Sequence, residues 1–140
     1  MIPPVGDTVI AIDGPAGSGK STVARALAVR LGLGYLDTGA MYRAVTWAVL
    51  RDGLDPHALD AVAALAERTD LSLGERVVVD GTDVTGPIRG PEVSGTVSIV
   101  AANPGVRRVL VARQRGWVAE HGGGVVEGRD IGTVVFPNAA

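Results

Sequence analysis

The chain has 140 residues, about the length of a single domain. Its 13 basic and 15 acidic residues give a formal net charge of −2, without the basic excess typical of nucleic-acid-binding proteins. Apolar residues make up 46% of the sequence, which excludes global disorder, and no apolar run reaches the roughly 18 residues that cross a bilayer. The absence of cysteine excludes disulfides, thiolate catalysis and Cys-based metal sites. We therefore expect a soluble, cytoplasmic monomer that binds neither nucleic acid nor membrane.

The chain outside residues 75–105 alternates between short apolar strands and helices with one apolar face. Strands are predicted at 8–12, 35–36 and 125–127. The run at 8–12 does not alternate with polar residues, which is typical of a strand buried on both faces of a parallel sheet. One helix is predicted after the first strand and ends near Gly32. Two more are predicted after the second strand: one ends near Gly53, and the other begins with Asp55 as its cap. This order predicts an α/β fold with a parallel sheet.

The middle of the chain differs from this alternation. Residues 77–84 predict a hairpin that turns at Asp80-Gly81, a common type I′ pair. Two helices are predicted next, at about 92–102 and 104–120, the second capped by Asn103. We interpret residues 75–105 as a small inserted lobe that faces the substrate.

A glycine-rich motif follows the first strand and precedes the first helix. Residues 14–21 fit the pattern G-x-x-x-x-G-K-[ST], and Lys20 is the one lysine among the 13 basic residues. Glycines allow successive backbone N–H groups to point at one phosphate, and the helix that follows adds its positive end. Lys20 is expected to reach the β- and γ-phosphates, and the Ser21 hydroxyl to ligate Mg²⁺. The motif predicts that the chain binds a nucleoside triphosphate.

Carboxylates follow the three predicted sheet strands: Asp13, Asp37 and Asp130. Ligands of open α/β sheets bind beyond the carboxyl ends of the strands, so these side chains are candidates to face a ligand. Each could instead cap a helix, as Asp commonly does. Arg43 lies about one turn into the helix predicted after Asp37, and Arg129 adjoins Asp130, where both could hold a second phosphate. Asp13 is also a candidate to hold a magnesium-bound water.

Three segments together resemble the bacterial cytidylate kinase family: 11–21, 35–43 and 127–137. The first is shared with many P-loop kinases, whereas the second and third are more specific, and residues 88–93 and 98–115 add to the similarity. The resemblance implies a P-loop NTPase fold, a three-layer α/β/α arrangement with a parallel sheet and a small inserted substrate-binding lobe. It also implies one P-loop kinase domain over residues 1–140 that is incomplete at its C-terminus, because relatives continue with a further strand and an arginine-bearing lid.

The resemblance implies transfer of the γ-phosphoryl group of ATP to CMP or dCMP, with Mg²⁺, giving ADP and CDP or dCDP. The implied catalytic residues are Lys20, Arg43 and Arg129. The implied ATP-binding residues are Gly14, Pro15, Ala16, Gly17, Ser18, Gly19, Lys20, Ser21 and Thr22. The implied residues for the monophosphate substrate are Asp37, Thr38, Tyr42, Arg43, Ser98, Arg107, Arg129 and Asp130. Among them, the resemblance implies that Ser98, Arg107 and Asp130 read the cytosine ring. The metal residues are expected to be Ser21 and Asp13.

Other readings of the same residues stay open. Tyr42 could serve packing alone, and Ser98 and Arg107 could be ordinary exposed helix residues. The chain could also be another small P-loop kinase, or a nucleotide-binding fragment without catalytic activity. Because relatives extend beyond residue 140, we expect ligand binding by these 140 residues but inefficient turnover.

Overall fold

The computed structural model describes residues 8–14, 20–129 and 131–135. The strands in these ranges are β1 Thr8–Asp13, β2 Tyr35–Asp37, β3 Leu71–Leu73, β4 Val77–Val79, β5 Thr82–Asp83 and β6 Gly123–Gly128. The helices are α1 Lys20–Leu31, α2 Thr38–Arg51, α3 Leu59–Arg68, α4 Pro91–Ala102 and α5 Pro104–His121, with a 3₁₀ turn Pro87–Arg89 and a π-helical turn Ile131–Val135. No helix in these ranges is long and apolar enough to cross a membrane. The chain divides into two compact units, Met1–Thr38 with Ala112–Ala140, and Gly39–Val111.

The first unit is built on a parallel sheet of three strands in the order β1-β6-β2. In the centre of the sheet, Val125 of β6 lies opposite Ile10 of β1 and Tyr35 of β2. All six residues of β6 are buried, as expected for an apolar run at the centre of a parallel sheet. The predicted parallel sheet and its three strands are therefore confirmed.

Helical segments cover both faces of this sheet. Ala24 and Ala28 of α1 pack against Val125 on one face. The preceding residue of the strand, Gly124, points to the opposite face, where an added Cβ would lie 2.5 Å from the ring of Trp117 on α5. Glycine is thus required for α5 to approach the sheet this closely. The helix–sheet–helix layers agree with the predicted α/β fold class.

The second unit contains a separate antiparallel sheet of three short strands in the order β3-β4-β5. The hairpin between β4 and β5 turns at Asp80 and Gly81, whose φ angles of +48° and +83° are those of a type I′ turn. The predicted hairpin is confirmed. Strand β3 was not predicted, because its three residues are too few to show a periodic pattern.

The start predicted for the third helix is wrong. Helix α3 begins at Leu59, and its N-cap residue Ala58 makes no side-chain capping bond. The Asp55 carboxylate accepts a hydrogen bond from the N–H of His57 at 2.9 Å, and this local turn competes with helix formation. The predicted cap of α5 is confirmed, since Asn103 Oδ1 accepts from the N–H of Gly105 at 2.9 Å.

Candidate functional site

The glycine-rich motif lies between a strand and a helix, as its predicted phosphate-binding role requires. Strand β1 ends at Asp13 and helix α1 begins at Lys20. Residues 15–19 and the side chain of Lys20 lie outside the described part of the chain. Gly14 is described, and it donates its N–H to the carbonyl oxygen of Gly128 at 3.2 Å. This bond joins the end of β1 to the end of β6, so α1 starts at the carboxyl edge of the sheet.

A buried carboxylate lies beside the first turn of α1. Glu127, near the end of the central strand β6, is only 4% exposed. Its Oε2 accepts a hydrogen bond from the Ser21 hydroxyl at 3.0 Å, and its Oε1 accepts one from the Tyr35 hydroxyl at 2.6 Å. Burial raises the pKa of Tyr35 above its ordinary value, and the hydrogen bond to Glu127 raises it further. Tyr35 therefore remains protonated and donates to one oxygen of the carboxylate while Ser21 donates to the other.

The Ser21–Glu127 pair suits the role predicted for Ser21. A hydroxyl that donates its hydrogen to a carboxylate keeps its oxygen lone pairs for a metal ion. Hydroxyl and carboxylate oxygens are the hard ligands that Mg²⁺ prefers, usually together with substrate phosphates. The described residues contain no group of three or more His, Cys, Asp or Glu side chains that could hold a metal ion alone. The residues at this position therefore fit Mg²⁺ carried on a nucleotide.

Neither Glu127 nor Tyr35 was predicted to have a role from the sequence. One signal in the sequence could have identified Glu127: it is a charged residue within the otherwise apolar segment 123–128. A charged side chain is costly to bury unless it is paired, so a partner was to be expected. Nothing in the sequence identified its partners, because Ser21 and Tyr35 are 106 and 92 residues away.

Asp13, predicted to hold a magnesium-bound water, makes two backbone contacts. Its Oδ1 accepts from the N–H of Ile131 at 2.6 Å, and its Oδ2 accepts from the N–H of Gly132 at 3.0 Å. The carboxylate thus caps the turn Ile131–Val135. A carboxylate has about four acceptor positions, so these two bonds leave capacity for a water.

The predicted substrate residues at the end of β2 lie beside the central strand. Thr38 is 2% exposed, and its hydroxyl donates to the backbone oxygen of Glu127 at 2.8 Å. Asp37 is half-buried and pairs in register with Glu127 across the sheet. The ends of β2 and β6 therefore bring Asp37, Thr38 and Glu127 together at one edge, as the α/β geometry predicts.

Two further predicted substrate residues meet within the second unit. Tyr42, on α2, is half-buried, and burial raises the pKa of its hydroxyl. The positive charge of Arg107, on α5, opposes this rise in pKa, and a hydrogen bond between the two side chains opposes it further. Tyr42 and Arg107 are 65 positions apart in sequence, so the fold brings together two residues that were predicted separately.

Arg43 and Ser98 also belong to this unit. Nη1 of Arg43 donates to the backbone oxygen of Ile88 at 3.0 Å and to the hydroxyl of Ser94 at 2.9 Å. Ser98 is exposed on α4, one helical turn after Ser94. Ser94 was not among the predicted site residues.

The remaining predicted residues follow the central strand. Arg129 is exposed directly after β6. Asp130, predicted to read the cytosine ring, lies outside the residues that the structure describes. Its role therefore stays a prediction.

Comparison with known proteins identifies similar sequences over nearly the whole chain. Residues 10–140 match the family model described as cytidylate kinase. A protein named bifunctional pantoate ligase/cytidylate kinase from Synechococcus sp. strain WH7803 is 56% identical over 137 residues, covering 94% of this chain and 28% of its own length. Proteins of the same name from Parasynechococcus marenigrum strain WH8102 and Prochlorococcus marinus strain MIT 9303 are 56% and 54% identical, again over 94% of this chain. The chain thus spans little more than a quarter of the length of these curated relatives.

Proposed function

The chain belongs to the cytidylate kinase family, and from that premise we propose that it carries the site at which ATP phosphorylates CMP or dCMP. The observation that supports this proposal most strongly is the family match over residues 10–140, which includes the phosphate-binding motif between β1 and α1. The substrates are ATP with CMP or dCMP, and the products are ADP with CDP or dCDP. We further propose that the protein acts as a cytoplasmic monomer, with residues 75–105 as the monophosphate-binding lobe.

The donor side of the proposed site is built around the start of α1. Residues 14–22, among them Lys20, Ser21 and Thr22, bind the triphosphate, and the backbone N–H groups of residues 16–19 are donors to its oxygens. Ser21 and Asp13 are the proposed residues for Mg²⁺, and Glu127 orients Ser21 by accepting its hydrogen at 3.0 Å. When bound, Mg²⁺ neutralises charge on the phosphate oxygens.

The acceptor side of the proposed site consists of the residues predicted from the sequence for the monophosphate substrate. Tyr42, Arg43 and Arg107 make polar contacts within the second unit. We propose that these residues hold the monophosphate substrate together with Asp37, Thr38, Ser98, Arg129 and Asp130. Arginines suit the phosphate because the guanidinium presents paired donors to two oxygens at once. An Asp, an Arg and a Ser can complement the donor amine and the acceptors of a cytosine edge.

The reaction needs little covalent help from the protein. The accepting phosphate oxygen is already anionic near neutral pH, so no strong general base is required. Lys20, Arg43 and Arg129 instead position the two phosphates and offset their charge. Catalysis is therefore mainly alignment and electrostatic stabilisation.

Calorimetric titration with CMP, dCMP, UMP and AMP tests the proposal. We expect a preference of about tenfold or more for the cytosine nucleotides, because a polar site disfavours a base with the wrong donors and acceptors. Asp130→Ala should weaken CMP binding about tenfold and leave ATP binding nearly unchanged, since a hydrogen bond to a charged group contributes about 1.5–3 kcal/mol. Asp60→Ala, which removes an exposed carboxylate on α3, is the matched control.

Two results would argue against a cytidylate kinase site. Equal affinity for all four nucleotides would remove the cytosine preference on which the proposal depends. Absence of phosphoryl transfer both in the wild type and in a folded Lys20→Ala variant would favour a nucleotide-binding module without catalytic activity.

A further inference from the structure

We propose that Ser94 is a positioning residue that orients the Arg43 guanidinium toward the phosphate of the nucleoside monophosphate. This inference rests on the proposed function, in which Arg43 binds that phosphate. Ser94 is not expected to touch the substrate. It acts through Arg43, by fixing which edge of the guanidinium is presented to the ligand.

The contacts of Arg43 are concentrated on one nitrogen. Nη1 donates to the backbone oxygen of Ile88 at 3.0 Å and to the hydroxyl oxygen of Ser94 at 2.9 Å. A guanidinium has five N–H donors, two of them on Nη1. Both donors of Nη1 are therefore used, and the edge formed by Nε and Nη2 carries the other three. That edge has the paired, parallel N–H geometry that binds two oxygens of one phosphate.

The two acceptors belong to different structural elements, so together they define the plane of the guanidinium. Ile88 is 1% exposed in the turn Pro87–Arg89, and its own N–H donates to the oxygen of Val84 at 3.0 Å. Ser94 lies in the first turn of α4, where its N–H donates to the oxygen of Gly90 at 3.0 Å. Rotation of the Arg43 side chain away from this orientation would break both hydrogen bonds.

The position of Ser94 on α4 also supports the inference. Ser94 and Ser98 are four residues apart and lie on the same side of the helix. Ser98 is one of the residues proposed to contact the cytosine ring. The side of α4 that contacts Arg43 therefore also carries Ser98, the residue proposed to contact the base.

Ser94 can be changed with little effect on folding. Its side chain is exposed, so Ser94→Ala leaves no buried polar group without a partner. Alanine also has a higher helix propensity than serine. A change in binding after this substitution therefore reports on the contact with Arg43.

The test is calorimetric titration of the whole chain with CMP and with cytidine, which lacks the phosphate. Ser94→Ala should weaken CMP binding by about threefold to tenfold, corresponding to the loss of one hydrogen bond, and leave cytidine binding unchanged. Ser94→Thr, which keeps a hydroxyl, should restore most of the affinity for CMP. In an Arg43→Lys background, Ser94→Ala should have no further effect. Ser72→Ala, at an exposed serine on β3, is the matched control.

The possible failures can be distinguished from one another. If the wild type binds CMP no more tightly than cytidine, the proposed function fails and the inference fails with it. If the wild type prefers CMP and Ser94→Ala keeps the full preference, only the role of Ser94 is refuted. A similar loss of affinity for both ligands would indicate a structural role. Tighter CMP binding in Ser94→Ala would show that Ser94 competes with the phosphate for Arg43.

Discussion

Replacement of Tyr35 by Phe tests the hydrogen-bonded carboxylate beside the first turn of α1. The substitution removes one hydroxyl and keeps the ring, which Arg25 overlies at 5.1 Å from its centroid. The lost bond is 2.6 Å long and ends on a carboxylate that is 4% exposed. Hydrogen bonds to charged groups contribute about 1.5–3 kcal/mol, and removing one partner leaves the other unsatisfied. We expect Tyr35→Phe to lower the free energy of unfolding by about that amount.

The assay is equilibrium unfolding in urea, compared between the wild type and Tyr35→Phe near neutral pH. In a Glu127→Gln background the acceptor is neutral, so Tyr35→Phe should lower the free energy of unfolding by only about 0.5–1.5 kcal/mol. Equal losses in the two backgrounds would show that the charge of the acceptor contributes nothing. A loss below about 0.5 kcal/mol in the wild-type background would refute the importance of the bond itself.

The pH dependence gives an independent measurement of the same contact. The pKa of Tyr35 is raised in the folded state, first by burial and then by Glu127, so the folded protein holds this proton more tightly than the unfolded chain. The stabilisation is fully present below the ordinary tyrosine pKa of about 10 and is lost as the pH rises through the raised value. The stability difference between the wild type and Tyr35→Phe should be constant from pH 7 to about 9.5 and shrink above pH 10. A difference that grows above pH 10 would contradict this assignment.

Two other predictions concern the stability of the fold. Gly105→Ala should destabilise the protein by about 1–2 kcal/mol, because the new Cβ would lie 2.7 Å from Cβ of Ala63. In the same helix, a Cβ added at Gly116 meets nothing within 4 Å, so Gly116→Ala should stabilise the protein by up to about 1 kcal/mol. Thermal unfolding of both variants checks this, and the same sign for both would contradict it. Asp13→Ala should lower the free energy of unfolding by about 0.5–2 kcal/mol, because it removes the acceptor for the N–H groups of Ile131 and Gly132. Urea unfolding measures this loss, and an unchanged midpoint would refute the capping role.

Several elements could be predicted from the sequence because their signals are local. The apolar run at 8–12 and the valine pair at 125–126 predicted sheet strands, and Asp80-Gly81 predicted a turn with positive φ at both residues. Asn103 predicted the cap of α5, because its side chain reaches N–H groups two and three residues later. The local signal was misleading at Asp55, whose carboxylate forms a turn with His57 instead of starting α3.

The sequence by itself determined that the glycine-rich motif lies between a strand and a helix. It also determined the parallel sheet and the family, because all of these depend on short-range patterns of glycine, charge and apolar residues. Only the tertiary structure decided the partners of the polar side chains. Glu127 receives hydrogen bonds from residues 106 and 92 positions away, and Arg43 contacts Ser94 across 51 positions. Such pairs leave no periodic signal, since chain topology and sheet register decide which side chains meet.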